Sequence, residues 1–521
     1  MLHDSNCAHS NKYTDNTINV FGERAKKIWL NRRVTPDKGK EMTSAGQTSV
    51  IEMEQTLASQ KQAFIDEGAV SAATRIDRID RSISQLIKYQ DKLADAMSSD
   101  FGHRPAELSK MFDVAAGLGP MQHAKQHLKK WMRVEKRKTL FPLNLFGARS
   151  RVEYQPLGVV GIISPWNFPV NLAFAPLANA LGAGNRAMIK PSEFTPATSE
   201  LIKQMIEEVY DPTEVAVFTG GPDVGQAFSG LAFDHMIFTG ATSVAKHVMA
   251  AAAKNLVPLT LELGGKSPVV VSRSADMALT CNRVMWGKIT NAGQICLAPD
   301  YSYVAEEQLE DYINGLKQAA ATMMPTLLAN NDYSSIINDR HYDRLQHYIA
   351  DAKAKGATII EINPGAENFA VQPHRKMPPT LILNAPDDAL VMQEEIFGPL
   401  MAVRSYRDLS EAVNHINAQP RPLALYYFGN DAREQRYVLD HTISGGVTIN
   451  DVLMHVAQED LPFGGVGPSG MGCYHGFDGF KELSHARAIY SQSKMDLNGM
   501  TGMSPPYNEK TLKTIKQMLK P

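Results

Sequence analysis

The stretch VVGIISPWNFPVNLAFAPLANALGAGNRAMIKPSE, residues 159–193, opens a part of the chain in which short apolar runs alternate with helix-length segments. Six such runs are VVGII (159–163), AMI (187–189), VAVF (215–218), MIF (236–238), LTLEL (259–263) and VVV (269–271). Strands separated by helices in this way predict a parallel sheet with crossover helices. Because nucleotide ligands bind such sheets at the carboxyl ends of the strands, we expect the chemistry in the turns that follow them.

Outside this part the pattern changes. Residues 51–98 have a helical period, with isoleucines and leucines on one face and charged residues, among them Arg75 and Arg78, on the other. A polar strand is expected near 147–156 and another at 487–493. A second α/β unit is expected at roughly 263–470, and the tail from residue 498 contains a short amphipathic helix.

Composition excludes several classes of protein. The chain has 521 residues, with 53 basic and 55 acidic ones, so a dedicated nucleic-acid surface is not expected. No window of about 18 uncharged apolar residues predicts a membrane span. The four cysteines (Cys7, Cys281, Cys296 and Cys473) form no CxxC pair, which favours a reducing, cytoplasmic setting over a disulfide scaffold.

The N-terminal part reads differently from the rest. We expect residues 1–45 to be a disordered extension, because they are polar and lack the apolar core of a secretory signal. Two alternatives stay open. The basic segment 20–34 could act in targeting, and Met42 could be the biological start.

Cys296 lies in NAGQICLAPD, where small and polar residues precede the thiol. A lone cysteine is more often inert than catalytic, so a catalytic role for Cys296 has to be supported by other residues of the predicted site. Upstream, LELGGKSP ends a predicted strand in paired glycines, with Glu262 just before the turn. A carboxylate at a strand end can serve as a base, although a surface glutamate is the simpler interpretation of that residue alone.

Two more turns follow predicted strands. ISPWNFP places Trp166 and Asn167 between prolines, and an asparagine N–H can stabilise an oxyanion, although turn asparagines are common. MIKPSEFTP places Lys190 and Glu193 where they could bind ribose hydroxyls, although KPSE is also an ordinary helix start.

Seven motifs occur in order from about residue 50 to the C-terminus: PWNFP, KPSE, FTG, LELGGKSP, NAGQIC, EEIFGP and LPFGG. In this order and spacing they resemble the aldehyde dehydrogenase superfamily. CLAPDY, the stretch NDVLMHVAQEDLPFGGVGPSGMGCYHG and the ending PPYNEKTL are similar to the class 3 and coniferyl aldehyde dehydrogenase branch.

The resemblance implies catalytic roles. Cys296 as thiolate attacks the aldehyde carbon. The oxyanion is held by the Asn167 side chain and the Cys296 backbone N–H. Glu262 activates the water that hydrolyses the thioester.

It also implies a cofactor site. Glu395 holds the nicotinamide ribose, with Phe397 beside it, while Lys190 and Glu193 contact the adenine ribose. Trp166 lines the cleft, and Gly240 in FTGATSVAK contributes backbone N–H groups to phosphate binding. Ala241 and Ala245 depart from the usual family pattern in that turn. Glu193 favours NAD by repelling a 2′-phosphate, but NADP stays possible.

The implied fold is α/β, with a Rossmann-like NAD-binding domain, an α/β catalytic domain and a β oligomerisation arm. The predicted ranges are 46–139 and 157–262 for the NAD-binding domain, 263–470 for the catalytic domain, 140–156 and 484–497 for the arm, and 498–521 for a C-terminal tail. The alternating polarity of the arm strands suits an edge that adds to a neighbour's sheet. The resemblance implies a homodimer, with a tetramer possible.

Other interpretations stay open at this point. A CoA-acylating enzyme is disfavoured by Glu262, and a silent binding protein by the joint presence of the site residues. No metal is expected, since His415, His441, His455 and His475 have no HxH or HxxxH spacing, although His455 could border the substrate funnel. The substrate is expected to be an aromatic or medium-chain aliphatic aldehyde.

Overall fold

In the computed structural model of the chain, the described residues are 50–141 and 143–520. The expected extension over 1–45 lies outside them. Within the described ranges no helix is both long and apolar enough to cross a membrane, and no group of three or more His, Cys, Asp or Glu side chains could hold a metal ion.

Two helices form the part of the chain where the sequence predicts a helical period over 51–98. They are α1 (Val50–Glu67) and α2 (Ala72–Phe101). The break between them has a local cause: Gly68 adopts a left-handed conformation (φ 67°), and the Ser71 hydroxyl caps α2 by accepting from the Thr74 N–H at 3.1 Å.

The first sheet has six strands in the order β15-β7-β6-β3-β4-β5. They are β3 (Val159–Ile163), β4 (Arg186–Lys190), β5 (Val215–Val217), β6 (His235–Thr239), β7 (Leu259–Glu262) and the short antiparallel β15 (Gly470–Met471). The other five are parallel, as the first five apolar runs predict. The runs are short and apolar throughout because both faces are covered. Ile162, Ile189 and Ile237 pack into one core cluster, and Met188 and Phe238 into another.

Helices cover this sheet. After α2, the helices of this part of the chain are α3 (Ala106–Ser109), α4 (Ala116–Trp131), α5 (Asn171–Ala183), α6 (Pro196–Glu207), α7 (Pro222–Ser229) and α8 (Thr242–Ala252). A π-helical turn lies at Lys110–Ala115 and a 3-10 turn at Ala253–Asn255.

The second sheet has seven strands in the order β10-β11-β12-β9-β8-β13-β14. They are β8 (Pro268–Val271), β9 (Tyr301–Ala305), β10 (Thr358–Glu361), β11 (Thr380–Leu383), β12 (Leu400–Tyr406), β13 (Ala424–Phe428) and β14 (Gly446–Ile449). Only the β10–β11 pairing within this sheet is antiparallel. The connecting helices are α9 (Met277–Ile289), α10 (Leu309–Met323), α11 (Asp339–Ala354), α12 (Leu390–Gln393), α13 (Leu409–Ala418) and α14 (Ala432–His441), with tight turns at Thr290–Gly293 and Glu306–Gln308.

The third sheet is antiparallel, in the order β1-β2-β16. β2 (Arg149–Pro156) pairs along its whole length with β16 (Ser484–Ser491), which is the pairing expected for the arm. β16 begins three residues before the predicted 487–493, and β1 (Glu135–Arg137) is an additional strand. The remaining elements are a turn at Leu143–Phe146 and helices α15 (Gly476–Glu482), α16 (Leu497–Thr501) and α17 (Glu509–Met518). The division into functional domains stays a prediction, and β15 joins the first sheet from beyond the segments assigned to it.

A buried ion pair between Lys266 and Asp300 connects the segment after β7, the segment before β9 and the segment around residues 391–396. Lys266 follows β7, Asp300 precedes β9, and their side chains form an ion pair at 7% and 4% exposure. Lys266 also donates to the Val391 carbonyl at 2.7 Å, and Asp300 accepts from the Ile396 N–H at 2.8 Å. Three segments distant in the sequence are therefore held at one point.

We expect Asp300→Ala to destabilise the fold strongly, because it leaves the Lys266 ammonium buried without its counter-charge. The expected loss is about 3–5 kcal/mol, measured by guanidinium unfolding. The matched control is Glu306→Ala, which breaks the Arg407 ion pair whose side chains are 80% and 52% exposed. That change should have a much smaller effect, because exposed ion pairs are screened by solvent and contribute little to stability. Equal effects of the two substitutions would contradict this role of the buried pair.

Candidate active site

The carboxyl ends of four parallel strands meet at one edge of the first sheet. β3 is followed there by Trp166 and Asn167, and β4 ends at Lys190. β6 is followed by Gly240, and β7 ends at Glu262. The structure therefore brings these predicted site residues to one edge, which is where α/β sheets bind their ligands.

Cys296 and Glu262 line the same cavity, which has a volume of about 350 Å³. Its walls are largely aromatic and apolar, and they include Phe112, Phe168, Trp286, Phe463 and Tyr474. A concave apolar site with a few convergent polar groups is the usual form of a small-molecule site. Glu262 and Cys296, which are 34 positions apart in the sequence, therefore line the same cavity.

The loop before Cys296 has an unusual backbone. Asn291, Ala292 and Gly293 all have positive φ, at 48°, 51° and 71°. A Cβ on Gly293 would meet the Gly398 carbonyl, so glycine is required there. The buried Gln294 side chain fixes the loop by donating to the Asn291 carbonyl at 2.9 Å and to the Ser335 carbonyl at 3.0 Å. These hydrogen bonds hold Asn291 and Ala292 in their strained conformation, and Cys296, which follows this loop, lines the cavity.

The electrostatic environment of Cys296 disfavours its thiolate when no ligand is bound. Burial, together with the charges of Glu395 and Glu262, raises the pKa of the thiol to about 12. The backbone N–H groups of Cys296 and Leu297 act in the opposite direction by hydrogen bonding to the sulfur. Those amides are also positioned to stabilise negative charge beside the sulfur.

Glu262 is a carboxyl group in apolar surroundings. Its side chain is 2% exposed, and neither oxygen has a hydrogen-bond partner among the described residues. Burial raises its pKa well above the usual range. The Glu262 carbonyl is fixed by the Gly240 N–H at 3.0 Å. A free carboxyl with a raised pKa suits proton transfer near neutral pH.

Asn167 is held by a buried network that the sequence analysis missed. Its Nδ2 donates to the Gln294 carbonyl at 3.2 Å, and its own carbonyl accepts from Arg104 at 3.1 Å. Arg104 forms a fully buried ion pair with Asp113 at 2.6 Å, and Asp113 also accepts from the Val170 N–H at 3.0 Å. Arg104 and Asp113 stand nine residues apart, and nothing local in the sequence indicates that they fasten a turn more than 50 positions away.

The predicted cofactor residues lie around the same edge. Lys190 is buried at the end of β4 and donates to Glu193 at 2.8 Å. The Trp166 ring meets Phe397 edge-on at 5.3 Å between centroids, and Phe397 has a positive φ of 48°. Burial raises the pKa of Glu395 to about 8, and its Oε1 has no partner within the described part of the chain.

The two residues in FTGATSVAK that depart from the family pattern, Ala241 and Ala245, are both compatible with the structure of this turn. Ala241 is exposed and precedes α8 without a side-chain cap, so the first N–H groups of that helix are open to a ligand. Ala245 is 1% exposed and packs into the core on the other side of the helix. Neither alanine obstructs the open helix start.

His455, which the sequence analysis placed at the border of the funnel, is not among the residues that line the cavity. His455 hydrogen-bonds through Nδ1 to the Thr448 hydroxyl at 2.7 Å, whereas its neighbours Met454 and Val456 line the cavity. His475, which the sequence analysis did not select for this role, lines the cavity itself.

The chain belongs to the aldehyde dehydrogenase family, since residues 28–489 match the description of that family. It is 57% identical to a probable coniferyl aldehyde dehydrogenase of Caulobacter vibrioides, over 90% of this chain and 97% of the relative. It is 51% identical to a coniferyl aldehyde dehydrogenase of a Pseudomonas species, over 86% and 92%. The substrate-bound structure of Staphylococcus aureus AldH is similar with a TM-score of 0.83 and 35% identity, over 90% and 99%.

These similarities confirm the family, the enzyme class and the fold expected from the seven motifs. They also confirm the resemblance to the coniferyl aldehyde dehydrogenase branch. The roles of individual site residues stay predictions.

Because the Cys296 thiol has a pKa of about 12, its alkylation by iodoacetamide should accelerate about tenfold per pH unit from pH 7 to 9, without a plateau. Peptide mass spectrometry measures the rate. Glu395→Gln removes a charge that raises this pKa and should speed labelling several-fold at pH 9, where Glu395, with a pKa of about 8, is ionised, and much less at pH 7. Glu394→Gln, in which the adjacent carboxyl contacts Tyr348 instead, is the matched control. A plateau below pH 8 in the unmodified protein would refute the raised pKa.

Proposed function

We propose that this chain oxidises an aromatic aldehyde of the coniferyl type to its carboxylic acid, with NAD or NADP as hydride acceptor. The observation that carries the proposal is the single aromatic-walled cavity lined by both Cys296 and Glu262. A thiol nucleophile and a free carboxyl facing one chamber suit a covalent reaction completed by hydrolysis.

The first step is attack by Cys296 on the aldehyde carbon. With its pKa raised, the thiol needs a proton acceptor, and the unpartnered Glu262 carboxylate in the same cavity can take that role. The carbonyl oxygen gains negative charge as the carbon–sulfur bond forms. The Asn167 Nδ2 and the Cys296 backbone N–H stabilise it, and the Arg104–Asp113 pair holds the Asn167 turn in place.

The residues at the sheet edge fit a nicotinamide dinucleotide. Two buried polar atoms there, Glu395 Oε1 and Thr239 Oγ1, lack partners among the described residues, and the helix start after Gly240 is open. Glu395 would hold the nicotinamide ribose, with Phe397 beside it. A bound nicotinamide would supply the hydride acceptor for this site, and loss of the hydride would leave a thioester on Cys296.

The adenosine end of the dinucleotide would lie at β4. Lys190 and Glu193 would bind the ribose hydroxyls there, and Trp166 would line the cleft. The Lys190–Glu193 ion pair leaves a carboxylate that disfavours a 2′-phosphate. NAD is therefore the proposed preference.

Glu262 passes the thiol proton to solvent and, ionised again, removes a proton from water, which attacks the thioester; the acid is released and the Cys296 sulfur takes up a proton again. Its raised pKa implies a sign for the pH dependence: the base is active when ionised, so hydrolysis slows as the pH falls through that pKa. Water rather than CoA is the proposed acyl acceptor.

The aromatic walls and the relatives support the choice of substrate. Phe112, Phe168, Trp286 and Phe463 offer flat apolar surfaces that suit an aryl ring. The two relatives named above carry coniferyl aldehyde in their names. A medium-chain aliphatic aldehyde is the alternative.

A homodimer is proposed through the arm. β16 lies at the outer edge of the third sheet, and most of its residues are exposed. Such an edge can extend the sheet of a second copy.

Cys296→Ala should abolish NADH formation from every aldehyde, because no thioester can form. Glu262→Gln should slow both the first release of NADH and the steady state, the latter by at least about a hundredfold, because it removes the acceptor of the thiol proton as well as the base for hydrolysis. Stopped-flow absorbance measures both phases, and Cys281→Ala is the matched control, since that buried thiol donates to the Tyr312 carbonyl. Undiminished turnover without Cys296 would overthrow the mechanism, and an absolute requirement for CoA would replace water as acceptor.

A panel of coniferyl aldehyde, benzaldehyde, octanal and acetaldehyde compares the proposed substrates with the same assay. The expected order of kcat/KM places coniferyl aldehyde first. A clear preference for acetaldehyde would contradict the proposed substrate class.

Glu193→Gln should raise the ratio of kcat/KM for NADP to that for NAD by roughly three- to tenfold, because it removes a charge that repels the 2′-phosphate. Initial rates at limiting cofactor measure this ratio. Glu200→Gln, an exposed carboxyl on α6, is the control and should leave it unchanged. An unaltered ratio in Glu193→Gln would show that this carboxylate does not select the cofactor.

A further inference from the structure

A second carboxyl group faces the cavity and has no part in the mechanism above. Glu459 lies in the loop between β14 and β15 and lines the chamber with Cys296. Its Oε2 is buried and has no hydrogen-bond partner among the described residues. Buried polar atoms are normally paired, so an unpaired carboxylate oxygen at a cavity wall indicates a group that a ligand satisfies.

The wall around Glu459 is shaped to leave room for this carboxylate. A Cβ on Gly119 of α4 would lie 3.3 Å from Glu459 Oε1, which is tighter than ordinary contacts. A Cβ on Gly476 would meet the Glu459 carbonyl. The absence of side chains at both positions lets Glu459 lie close against its neighbours.

His475 provides a second polar group beside it. The ring is 5% exposed, lines the cavity and stacks on Phe463 at 5.2 Å between centroids. Its Nδ1 also lacks a partner in the described part of the chain. Burial lowers the His475 pKa to about 4, so the ring is neutral near pH 7 and can donate or accept a hydrogen bond.

Glu459 shares its cavity with the reacting groups, since Glu262, Cys296 and Tyr474 line it as well. Burial raises the pKa of Glu459 to about 7. Burial also raises the pKa of the Tyr474 phenol, and the charges of Glu262, Cys296 and Glu459 act in the same direction. A ligand in this cavity can therefore contact Glu459 as well as Cys296.

We propose that Glu459 accepts a hydrogen bond from the phenolic hydroxyl of a 4-hydroxyaryl aldehyde whose carbonyl lies at Cys296, and so selects hydroxylated over plain aryl aldehydes. The proposal rests on the proposed function and deepens it. The aromatic walls suit the ring, and an unpaired carboxylate needs a hydrogen-bond donor, which the phenolic O–H of such a substrate supplies. A site built to bind a substrate hydroxyl rejects the analogue that lacks it, because the buried acceptor is then left unpaired.

The test compares 4-hydroxycinnamaldehyde with cinnamaldehyde, which differ only in that hydroxyl. The unmodified enzyme should favour the hydroxylated aldehyde in kcat/KM by about tenfold to a hundredfold. Glu459→Leu should bring the ratio close to one while leaving kcat/KM for cinnamaldehyde within about threefold. Glu459→Gln keeps an acceptor oxygen without the charge and should give an intermediate ratio.

Asp460→Asn, which removes the exposed neighbouring carboxylate, is the matched control and should keep the ratio of the unmodified enzyme. Gly119→Ala supplies a second route should Glu459→Leu fail to fold. Its added methyl group crowds the Glu459 carboxylate and should shift it enough to lower the same ratio, without altering Cys296 or Glu262.

A ratio that stays the same in Glu459→Leu and in Gly119→Ala would overturn the inference and leave the proposed function standing. Failure of the unmodified enzyme to oxidise any aldehyde would overturn the proposed function, and with it the inference.

Discussion

The relative positions of the candidate catalytic groups depend on the buried contact between Lys266 and Asp300. Glu262 stands four residues before Lys266, Cys296 stands four residues before Asp300, and Glu395 lies between the two residues that bond to this pair. Lys266 donates to the Glu394 carbonyl at 3.1 Å, and Asp300 accepts from the Ile396 N–H at 2.8 Å. Two ions removed from water are tolerated only when their hydrogen bonds are complete, so the pair enforces one arrangement of the three segments.

The backbone around the pair carries strain that the arrangement holds in place. Asn291 and Ala292 on one segment and Phe397 on another are non-glycine residues with positive φ. Conformations of this kind cost about 1–3 kcal/mol each and persist where surrounding contacts determine them. The bonds of Gln294 and the close approach of Gly293 to the Gly398 carbonyl supply those contacts. The loop that presents Cys296 and the loop that carries Glu395 therefore constrain one another.

Much of the fold could be predicted because its signals are local. The five apolar runs from 159 to 263 became the parallel strands of the first sheet, since strands buried on both faces are short and continuously apolar. Long-range charge pairing could not be predicted in this way. Arg78, assigned to the solvent face of its helix, is buried and bonds to Glu67 and to Glu214, which is 136 residues away.

Contacts between distant parts of the sequence were also missed at the candidate site. Motif order predicted that Cys296, Glu262 and Asn167 belong together, and the structure places the first two on one cavity. The Arg104–Asp113 clamp behind Asn167 has no signature in spacing, because its target lies on another element. His475 was missed as a cavity residue because the order of residues does not show which way a loop turns after β15.

A single physical cause connects substrate choice and proton chemistry in this chamber. The apolar walls that suit an aryl ring also remove water from the carboxyl groups and the thiol, and this desolvation raises the pKa of Cys296, Glu262 and Glu395 together. A thiol in such a place is a poor nucleophile until a carboxylate takes its proton or positive charge arrives nearby. A positively charged ligand bound in the position proposed above for the oxidised cofactor would act in the opposite direction and lower the thiol pKa. Desolvation thus keeps Cys296 protonated without cofactor and lets it respond strongly to charge, because electrostatic effects are largest where water is excluded.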